Sequence, residues 1–402
     1  MNSNSLEVQD ITLYSLIDDN ISTPSVNAPF QARISLKEHS PQSDNGIIIL
    51  EPDWAVAVNG NSVSMKTHPA AVVKNKKMRI MVRFFSAPPA NVIINGYSSL
   101  GGNFKLISLN NNIATFESAV PVSNCVKIVN DTSMILYNNG VILVKSQIPK
   151  IFIIREYLDE PCFWQIVEYT CKWLENLTPF QLDDEQNVID AIWTGCNKNN
   201  LASMGYQYVY DLQNPSPNSV NQILCNKKSS CGGWTDFFIH CLYCQGIRNI
   251  FDGNNPVPKT QKVHNSIIKI LDFYIPNDGD INTKRFKYND KYSSIGNKPP
   301  NVYFQDHNFV GYGGNFVKEK INTNGKDKEV YVYKGGTIFD IVYGIKLNNV
   351  NYLSYENEAI GYIKENKDAP EIAKGKERQF VVKCITINGN DELVWWPICG
   401  GE

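Results

Sequence analysis

Alternating apolar and polar positions dominate residues 1–155 of the chain. Short runs such as ITLYSLI, GIIIL, RIMVRFF, ATFESAV and KIFIIREY are separated by Asn, Gly, Pro, Ser and Asp. A period of two is typical of strands with one buried face, and this spacing of short strands indicates a β-sandwich of immunoglobulin type. The pattern contains no cluster of reactive side chains, so we expect this domain to serve support or targeting.

Helical spacing replaces the alternation near residue 160. The run EPCFWQIVEYTCKWLENL has apolar residues three and four positions apart, and Pro161 suits the first turn of a helix. The run DDEQNVIDAIWTGC predicts a second helix, because acidic residues at its start interact favourably with the helix dipole. After Gly246, runs such as HNSIIKILDFYI, VYFQDHNFVGY, TIFDIVYG and QFVVKCITI return to strands. The order predicts an α+β fold, with a second domain at residues 156–402 and a long surface loop at 275–300.

Composition and charge narrow the classes of function. Hydrophobic residues make up 43% of the 402 residues and charged residues 19%, which predicts a well-filled core. The net charge of −2 gives no basic excess, so we expect no nucleic-acid partner. The N-terminal run MNSNSLEVQD has no signal-peptide pattern, and no apolar run approaches the roughly 18 residues of a membrane span.

The ten cysteines are spread through a long chain, which favours reduced thiols and a cytoplasmic location by default. Export without a cleavable signal peptide stays open, since dedicated machines export such proteins. Four of the cysteines could also form a zinc set: Cys225, Cys231, Cys241 and Cys244. They include one C-x-x-C pair, but the second close pair of a zinc ribbon is missing. We therefore expect no metal and no cofactor.

The stretch SSCGGWTDFFIHCLYCQGI, residues 229–247, predicts a helix that begins near Cys231. Trp234, Phe238 and other apolar residues follow at helical spacing, and Gly246 accepts the left-handed conformation that ends many helices. A cysteine in the first turn lies at the positive end of the helix dipole, which favours the thiolate. Two glycines beside it leave space for a substrate and let a backbone N–H face an oxyanion. Cys231 is thus the candidate nucleophile.

A thiolate nucleophile needs a base, and the base needs a group that orients it. Among the five histidines, His307 in FQDHNFVGYGG and His264 in KVHNSII lie on predicted strands after the helix. His307 is the stronger candidate. Asp340 lies inside the apolar run TIFDIVYG, where a carboxylate is costly unless it is paired. A histidine on the neighbouring strand would be a suitable partner.

Taken together, the three segments resemble the transglutaminase-like superfamily of papain-like cysteine enzymes. CGGWTDFFIHCLYCQGI resembles its cysteine helix, DHNFVGYGG its histidine strand and GGTIFDIVYG its aspartate strand. The resemblance covers roughly residues 160–345 and implies that Cys231 is the nucleophile, His307 the base and Asp340 the orienting residue. It also implies a catalytic domain at residues 156–402, and a β-sandwich precedes the catalytic domain in some members.

The sequence departs from this family at three places. Phe309 stands where many members have tryptophan, Ile341 stands where many have proline, and a long polar loop is expected between the histidine and the aspartate. The second oxyanion donor is open among Tyr206, Gln207 and Tyr208.

The implied function is cysteine-dependent acyl transfer or hydrolysis at an amide bond of a protein or peptide, through a thioester. Crosslinking, deamidation and peptide cleavage are all found in the superfamily. One alternative is an inactive transglutaminase-like binding or structural protein. Another is an exported effector or toxin whose N-terminal domain binds a docking partner.

Overall fold

The structure of the chain is a computed structural model. It describes residues 6–16, 31–32, 36–38, 48–50, 53–55, 69–89, 92–158, 161–209, 220–247, 263–274, 294–296, 303–323, 326–350, 378–387 and 390–397. The chain divides into two compact units. The first consists of Met1–Ile192 and Tyr243–Gly246, and the second of Trp193–Leu242 and Ile247–Glu402. The main boundary between the compact units follows Ile192. The boundary at residue 155 between a β-sandwich domain and a catalytic domain stays a prediction.

Strands dominate the first unit. Their bounds are β1 (Val8–Leu16), β2 (Gln31–Ala32), β3 (Leu36–Glu38), β4 (Ile48–Leu50), β5 (Asp53–Ala55), β6 (Ala70–Val73), β7 (Met78–Phe84), β8 (Ile94–Ser98), β9 (Gly102–Asn110), β10 (Ile113–Ser118), β11 (Lys127–Asn138), β12 (Val141–Ile154) and β13 (Cys162–Phe163). Ten of these described strands form one sheet in the order β2-β1-β7-β10-β9-β8-β11-β12-β6, with β5 paired to β1. A second, small sheet has the order β13-β3-β4.

The sheet curls around an apolar core. Residues on β7 alternate between buried and partly exposed positions, and its buried residues Ile80 and Val82 pack in a cluster with Phe116 and Leu136. Strand β6, at one end of the path, lies back beside β1, so the sheet nearly closes on itself. The turn Asn139–Gly140 has φ values of 49° and 81°, which the tight hairpin between β11 and β12 requires.

The strand-dominated α+β fold is confirmed. The immunoglobulin type of sandwich is not confirmed, because the described strands pair along one continuous path rather than as two separate sheets.

Six helices are described: α1 (Trp164–Leu174), α2 (Pro179–Asp183), α3 (Glu185–Gly195), α4 (Lys198–Ser203), α5 (Val220–Asn226) and α6 (Cys231–Tyr243). The predicted helices at α1 and α3 are confirmed. The placement of Pro161 in a first helical turn was wrong, because Cys162 and Phe163 form β13 and pair with Leu36 and Lys37.

An antiparallel sheet organises the second unit. The described strands of this unit are β14 (Gln207–Tyr208), β15 (Lys228–Ser229), β16 (Val263–Tyr274), β17 (Tyr303–Thr323), β18 (Lys326–Asp340), β19 (Ile345–Val350), β20 (Arg378–Ile387) and β21 (Asn390–Pro397). Strands β14 and β15 form a separate parallel pair. The other six have the order β19-β18-β17-β16-β20-β21. The prediction of a long polar loop between His307 and Asp340 was wrong, because β17 and β18 form a hairpin that is paired as far as Thr323 and Lys326. The loop expected at 275–300 lies outside the described residues, apart from 294–296.

Gln245 anchors the segment Tyr243–Gly246 within the first unit. Its buried side chain accepts a hydrogen bond from the Arg155 backbone N–H at 3.1 Å and donates one to Thr170 Oγ1 at 2.8 Å. The Arg155 guanidinium in turn donates to the Gln245 backbone oxygen at 3.2 Å. The two residues therefore bind one another through both main chain and side chain.

We expect Gln245→Leu to lower the free energy of unfolding by about 1–3 kcal/mol. The buried Arg155 N–H loses its acceptor, and the Thr170 hydroxyl, which still donates to the Ile166 oxygen, loses the amide that donates to it. Urea denaturation measures this change.

The matched control is Gln186→Leu on the exposed side of α3, where the amide contacts Asp190. The control should change stability by less than about 0.5 kcal/mol. Equal losses in the two variants would contradict the anchoring role of Gln245.

Candidate active site

Cys231 is the first residue of α6, as the sequence predicts. The helix ends at Tyr243, and Gly246 follows with φ 80°, the left-handed conformation expected of the terminating glycine. The Ile247 N–H donates to the Leu242 oxygen at 3.1 Å, so the end of the helix is closed by backbone bonds.

Backbone groups before Cys231 hold the start of the helix in place. The oxygen of Ser229 accepts hydrogen bonds from the Trp234 indole N–H at 3.1 Å and from the Val209 N–H at 2.9 Å. The Ser230 oxygen accepts the Trp234 backbone N–H at 3.1 Å. Cys231 itself is only 3% exposed. The cysteine is therefore fixed in position and largely shielded from solvent.

An aromatic cluster packs α6 against strand β18. The ring of Phe238 lies 5.3 Å from that of Phe339 and 5.9 Å from that of Trp193, and Trp193 lies 5.3 Å from Phe339. Phe238 is seven residues after Cys231, so the two residues share one face of the helix about 10 Å apart along its axis. The helix face that carries Cys231 is therefore the face that packs on the sheet.

The rings of Tyr206 and Tyr208 contact different residues. The Tyr206 ring packs against Trp234 at 5.5 Å and Phe237 at 6.0 Å, which makes it a packing residue. Tyr208 is buried and its ring lies 6.3 Å from that of Tyr343. Gln207, between them, is exposed. The second oxyanion donor stays open among these three residues.

A short backbone ladder connects the start of α6 with the end of β18. Tyr208 pairs with Ser229, the Tyr208 N–H donates to the Ile295 oxygen at 2.8 Å, and the Ile295 N–H donates to the Val342 oxygen at 3.2 Å. Three strand spacings of about 4.8 Å place the backbones of Val342 and Ser229 within about 15 Å of one another. Sequence reasoning missed Ile295, because it lies in a segment rich in Asn, Asp, Lys and Pro that predicted a loop.

Gly296 allows this ladder to pack closely. It has φ 67°, and a Cβ added there would lie 2.6 Å from the Tyr206 oxygen. Both the backbone conformation and the lack of space require glycine at this position.

The structure brings His307 and Asp340 onto neighbouring strands. His307 lies on β17 and pairs with Ile268, and Asp340 is the last residue of β18. Extending the β17–β18 register by one pair from Val310 and Phe339 puts Asp340 opposite Phe309, two positions from His307. The weaker candidate base, His264, lies on β16 opposite Gly311.

The carboxylate of Asp340 is fully buried and takes part in a turn. Its Oδ1 accepts a hydrogen bond from the Tyr343 backbone N–H at 3.2 Å. Phe339, the preceding residue, contacts α6, and successive strand residues project to opposite faces. Strand geometry therefore directs Phe339, rather than the carboxylate, onto the cysteine helix.

The residues that the structure describes contain no group of three or more His, Cys, Asp or Glu side chains that could hold a metal ion. Cys241 lies inside α6, with its sulfur 3.9 Å from that of Cys196. In the first unit, burial raises the pKa of Cys171 to about 12, which makes that thiol a packing group. Among the described helices, none combines the length and apolarity that crossing a membrane requires.

Comparison with known proteins gives a structural likeness alone. No protein-family model and no curated protein matches the sequence. Similar solved structures include the crystal structure of red sea bream transglutaminase. The two chains are 8% identical with a TM-score of 0.29, over 79% of this chain and 68% of that one. A likeness of this degree carries no argument, so any functional conclusion depends on the residues of the site.

Substitutions at Asp340 separate its role in the turn from a role in catalysis. Asp340→Ala should lower the free energy of unfolding by about 1–3 kcal/mol, because the Tyr343 N–H loses its acceptor in a buried turn. Asp340→Asn keeps an acceptor oxygen and should cost less than about 1 kcal/mol. Urea denaturation of both variants tests this order. If the asparagine variant is as unstable as the alanine variant, the hydrogen bond to Tyr343 is not what the carboxylate contributes.

Proposed function

We propose that this chain catalyses cysteine-dependent acyl transfer or hydrolysis at an amide bond of a protein or peptide. Cys231 is the nucleophile, His307 the base and Asp340 the residue that orients the base. The proposed chemistry resides in residues 156–402 as a transglutaminase-like domain. Residues 1–155, proposed as an immunoglobulin-like domain, would serve support or targeting, including docking in an exported effector.

The observation that carries the proposal is the ladder through Ile295. It links Ser229, two residues before Cys231, to Val342, two residues after Asp340. The aromatic contact between Phe238 and Phe339 supports the same arrangement, since each lies on one of the two elements involved. Two independent sets of contacts thus hold the cysteine helix against the strand that ends in the aspartate.

The proposed reaction proceeds through a thioester at Cys231. The Cys231 thiolate attacks the carbonyl carbon of the substrate, an S–C bond forms, and the C–N bond breaks as the amine leaves with a proton from His307. Water or a second amine then attacks the thioester and gives a proton to His307, which releases the thiolate. The first-turn N–H groups of α6 are suited to bind the oxyanion.

A second candidate function is a binding or structural protein with an inactive site. The burial of Cys231 and the direction of Asp340 favour it, because a nucleophile must reach its substrate and strand alternation points Phe339, rather than the Asp340 carboxylate, at the cysteine helix. The two candidates differ in one measurable property, which is whether the Cys231 thiol forms a thioester.

The deciding experiment incubates the full chain with a panel of glutamine-containing peptides and peptide amides. Ammonia or amine release and an acylated protein mass at Cys231 are expected. Cys231→Ala should reduce turnover by at least about 10³-fold, because the covalent route is removed. Cys125→Ala, at a partly exposed cysteine of the first unit, is the matched control and should keep full turnover. Full turnover in Cys231→Ala would end the proposal.

A separate measurement, the rate of thiol alkylation, tests the role of His307 as the base. Iodoacetamide should alkylate Cys231 faster at neutral pH than it alkylates Cys125, because an imidazolium beside the sulfur stabilises the reactive thiolate. His307→Ala should remove this difference, and Asp340→Asn should reduce turnover less than His307→Ala does. An alkylation rate unchanged in His307→Ala would make His264 the next candidate. A folded chain that neither turns over peptides nor acylates Cys231 would favour the inactive protein.

A further inference from the structure

Two buried thiols of the second unit face one another. The Cys196 thiol donates a hydrogen bond to the Cys241 sulfur, and the two sulfur atoms are 3.9 Å apart. Both residues are fully buried. Neither belongs to the proposed catalytic triad. A cysteine buried by itself packs as a small apolar residue, whereas two facing thiols can also be joined by a covalent bond.

The backbone on either side of Cys196 is held in place. Cys196 lies in the short connection between α3 and α4. The next residue, Asn197, caps α4, because its side chain accepts hydrogen bonds from two backbone N–H groups of the first turn. Cys241 lies within α6, near its end. The two sulfurs therefore project from segments of defined conformation.

An aromatic contact one helical turn earlier aligns the same two segments. The rings of Trp193 and Phe238 are 5.9 Å apart. Trp193 is three residues before Cys196, and Phe238 is three residues before Cys241. Residues three apart are neighbours on one side of a helix, so the two contacts lie side by side. The packing of the aromatic rings holds the thiols opposite one another.

The remaining gap between the sulfurs is small. Sulfur atoms in a disulfide are about 2.05 Å apart, so the two thiols must approach by about 2 Å. Each cysteine side chain turns about a single bond between Cα and Cβ. Cys196 also lies outside regular helix, where the backbone adjusts at lower cost than inside one. A disulfide at this position requires a local change and no rearrangement of the helices.

Cys244, three residues after Cys241, has a different neighbour. Burial and a hydrogen bond with the Cys162 thiol raise the pKa of Cys244. Cys244 and Cys162 both belong to the first unit, and Cys241 and Cys196 both belong to the second. The structure therefore places the two cysteines of CLYC beside thiols of two different elements.

We propose that Cys196 and Cys241 form a disulfide when the chain folds in the presence of a small-molecule disulfide such as oxidised glutathione. One protein thiolate attacks a sulfur of the oxidant, which forms a mixed disulfide and releases one glutathione thiol. The second protein thiolate attacks the protein sulfur of the mixed disulfide and releases the other. The two protein thiols lose two protons and two electrons, and the oxidant gains both.

The bond forms during folding and then stabilises the folded chain. The oxidant reaches the two thiols before the core closes, since both are fully buried afterwards. The bond joins residues 45 positions apart and closes a loop that contains Cys231. Closing a loop of this length removes conformational entropy from the unfolded chain. The proposed nucleophile itself stays a free thiol.

Peptide mapping of the refolded full chain tests the proposal. The chain is unfolded in urea with a reductant, refolded by dilution into reduced and oxidised glutathione, and treated with N-ethylmaleimide. The folded fraction is isolated by size exclusion and digested with trypsin and chymotrypsin. Cleavage after Trp193 and Lys198 releases TGCNK, and cleavage after Phe238 and Tyr243 releases IHCLY, each with one cysteine. We expect these two peptides to be joined by a bond that dithiothreitol cleaves.

Urea denaturation gives a second measurement. The urea midpoint of the oxidised wild type should exceed that of the reduced wild type by at least about 0.5 M. Cys196→Ser and Cys241→Ser should each remove this difference. Cys225→Ser, at a partly exposed cysteine on α5, is the matched control and should keep it.

The wild-type peptides decide the outcome even if a serine variant fails to fold. A folded wild type in which TGCNK carries N-ethylmaleimide or glutathione overturns the proposal. A peptide with Cys241 joined to one with Cys244 overturns it as well, because the bond then closes within CLYC. An equal gain in urea midpoint for the wild type and for a folded Cys196→Ser variant contradicts the stabilising role of the bond.

Discussion

Two backbone hydrogen bonds of Ile295 hold the candidate site of the second unit together. Its N–H binds Val342 near the end of the aspartate strand, and its oxygen binds Tyr208 beside the start of the cysteine helix. Gly296 keeps this segment close, because a side chain there would meet the Tyr206 oxygen. Elements more than 100 residues apart in sequence thereby become neighbours, and the proposed acyl-transfer chemistry depends on that neighbourhood.

Burial both supports and constrains this chemistry. The unpaired N–H groups of the first helical turn interact more strongly with a buried sulfur than with an exposed one, because fewer water molecules screen the interaction. The same burial limits access for a substrate, and strand alternation points Phe339, rather than the Asp340 carboxylate, at the cysteine helix. These two features are why both an acyl-transfer enzyme and an inactive relative of one remain candidates, distinguished by the reactivity of a single thiol.

The first unit shows how one extra residue changes a surface. Without the bulge at Ile107, strict alternation would place Leu106 and Leu109 on opposite faces of β9. With it, the two residues join Ile107 on the face that carries Phe116 and Ala114. The strand then presents three exposed apolar side chains at the surface of the first unit.

The sequence by itself determined the elements whose signals are local. Apolar spacing, the first-turn cysteine and Gly246 defined α6, and alternation defined most strands, because these patterns depend on residues a few positions apart. Only the tertiary structure decided that the N-terminal strands form one curled sheet, that β17 and β18 form a hairpin instead of a loop, and that Ile295 bridges the site. Strand partners and register depend on packing between residues far apart in sequence, and no local pattern records that packing.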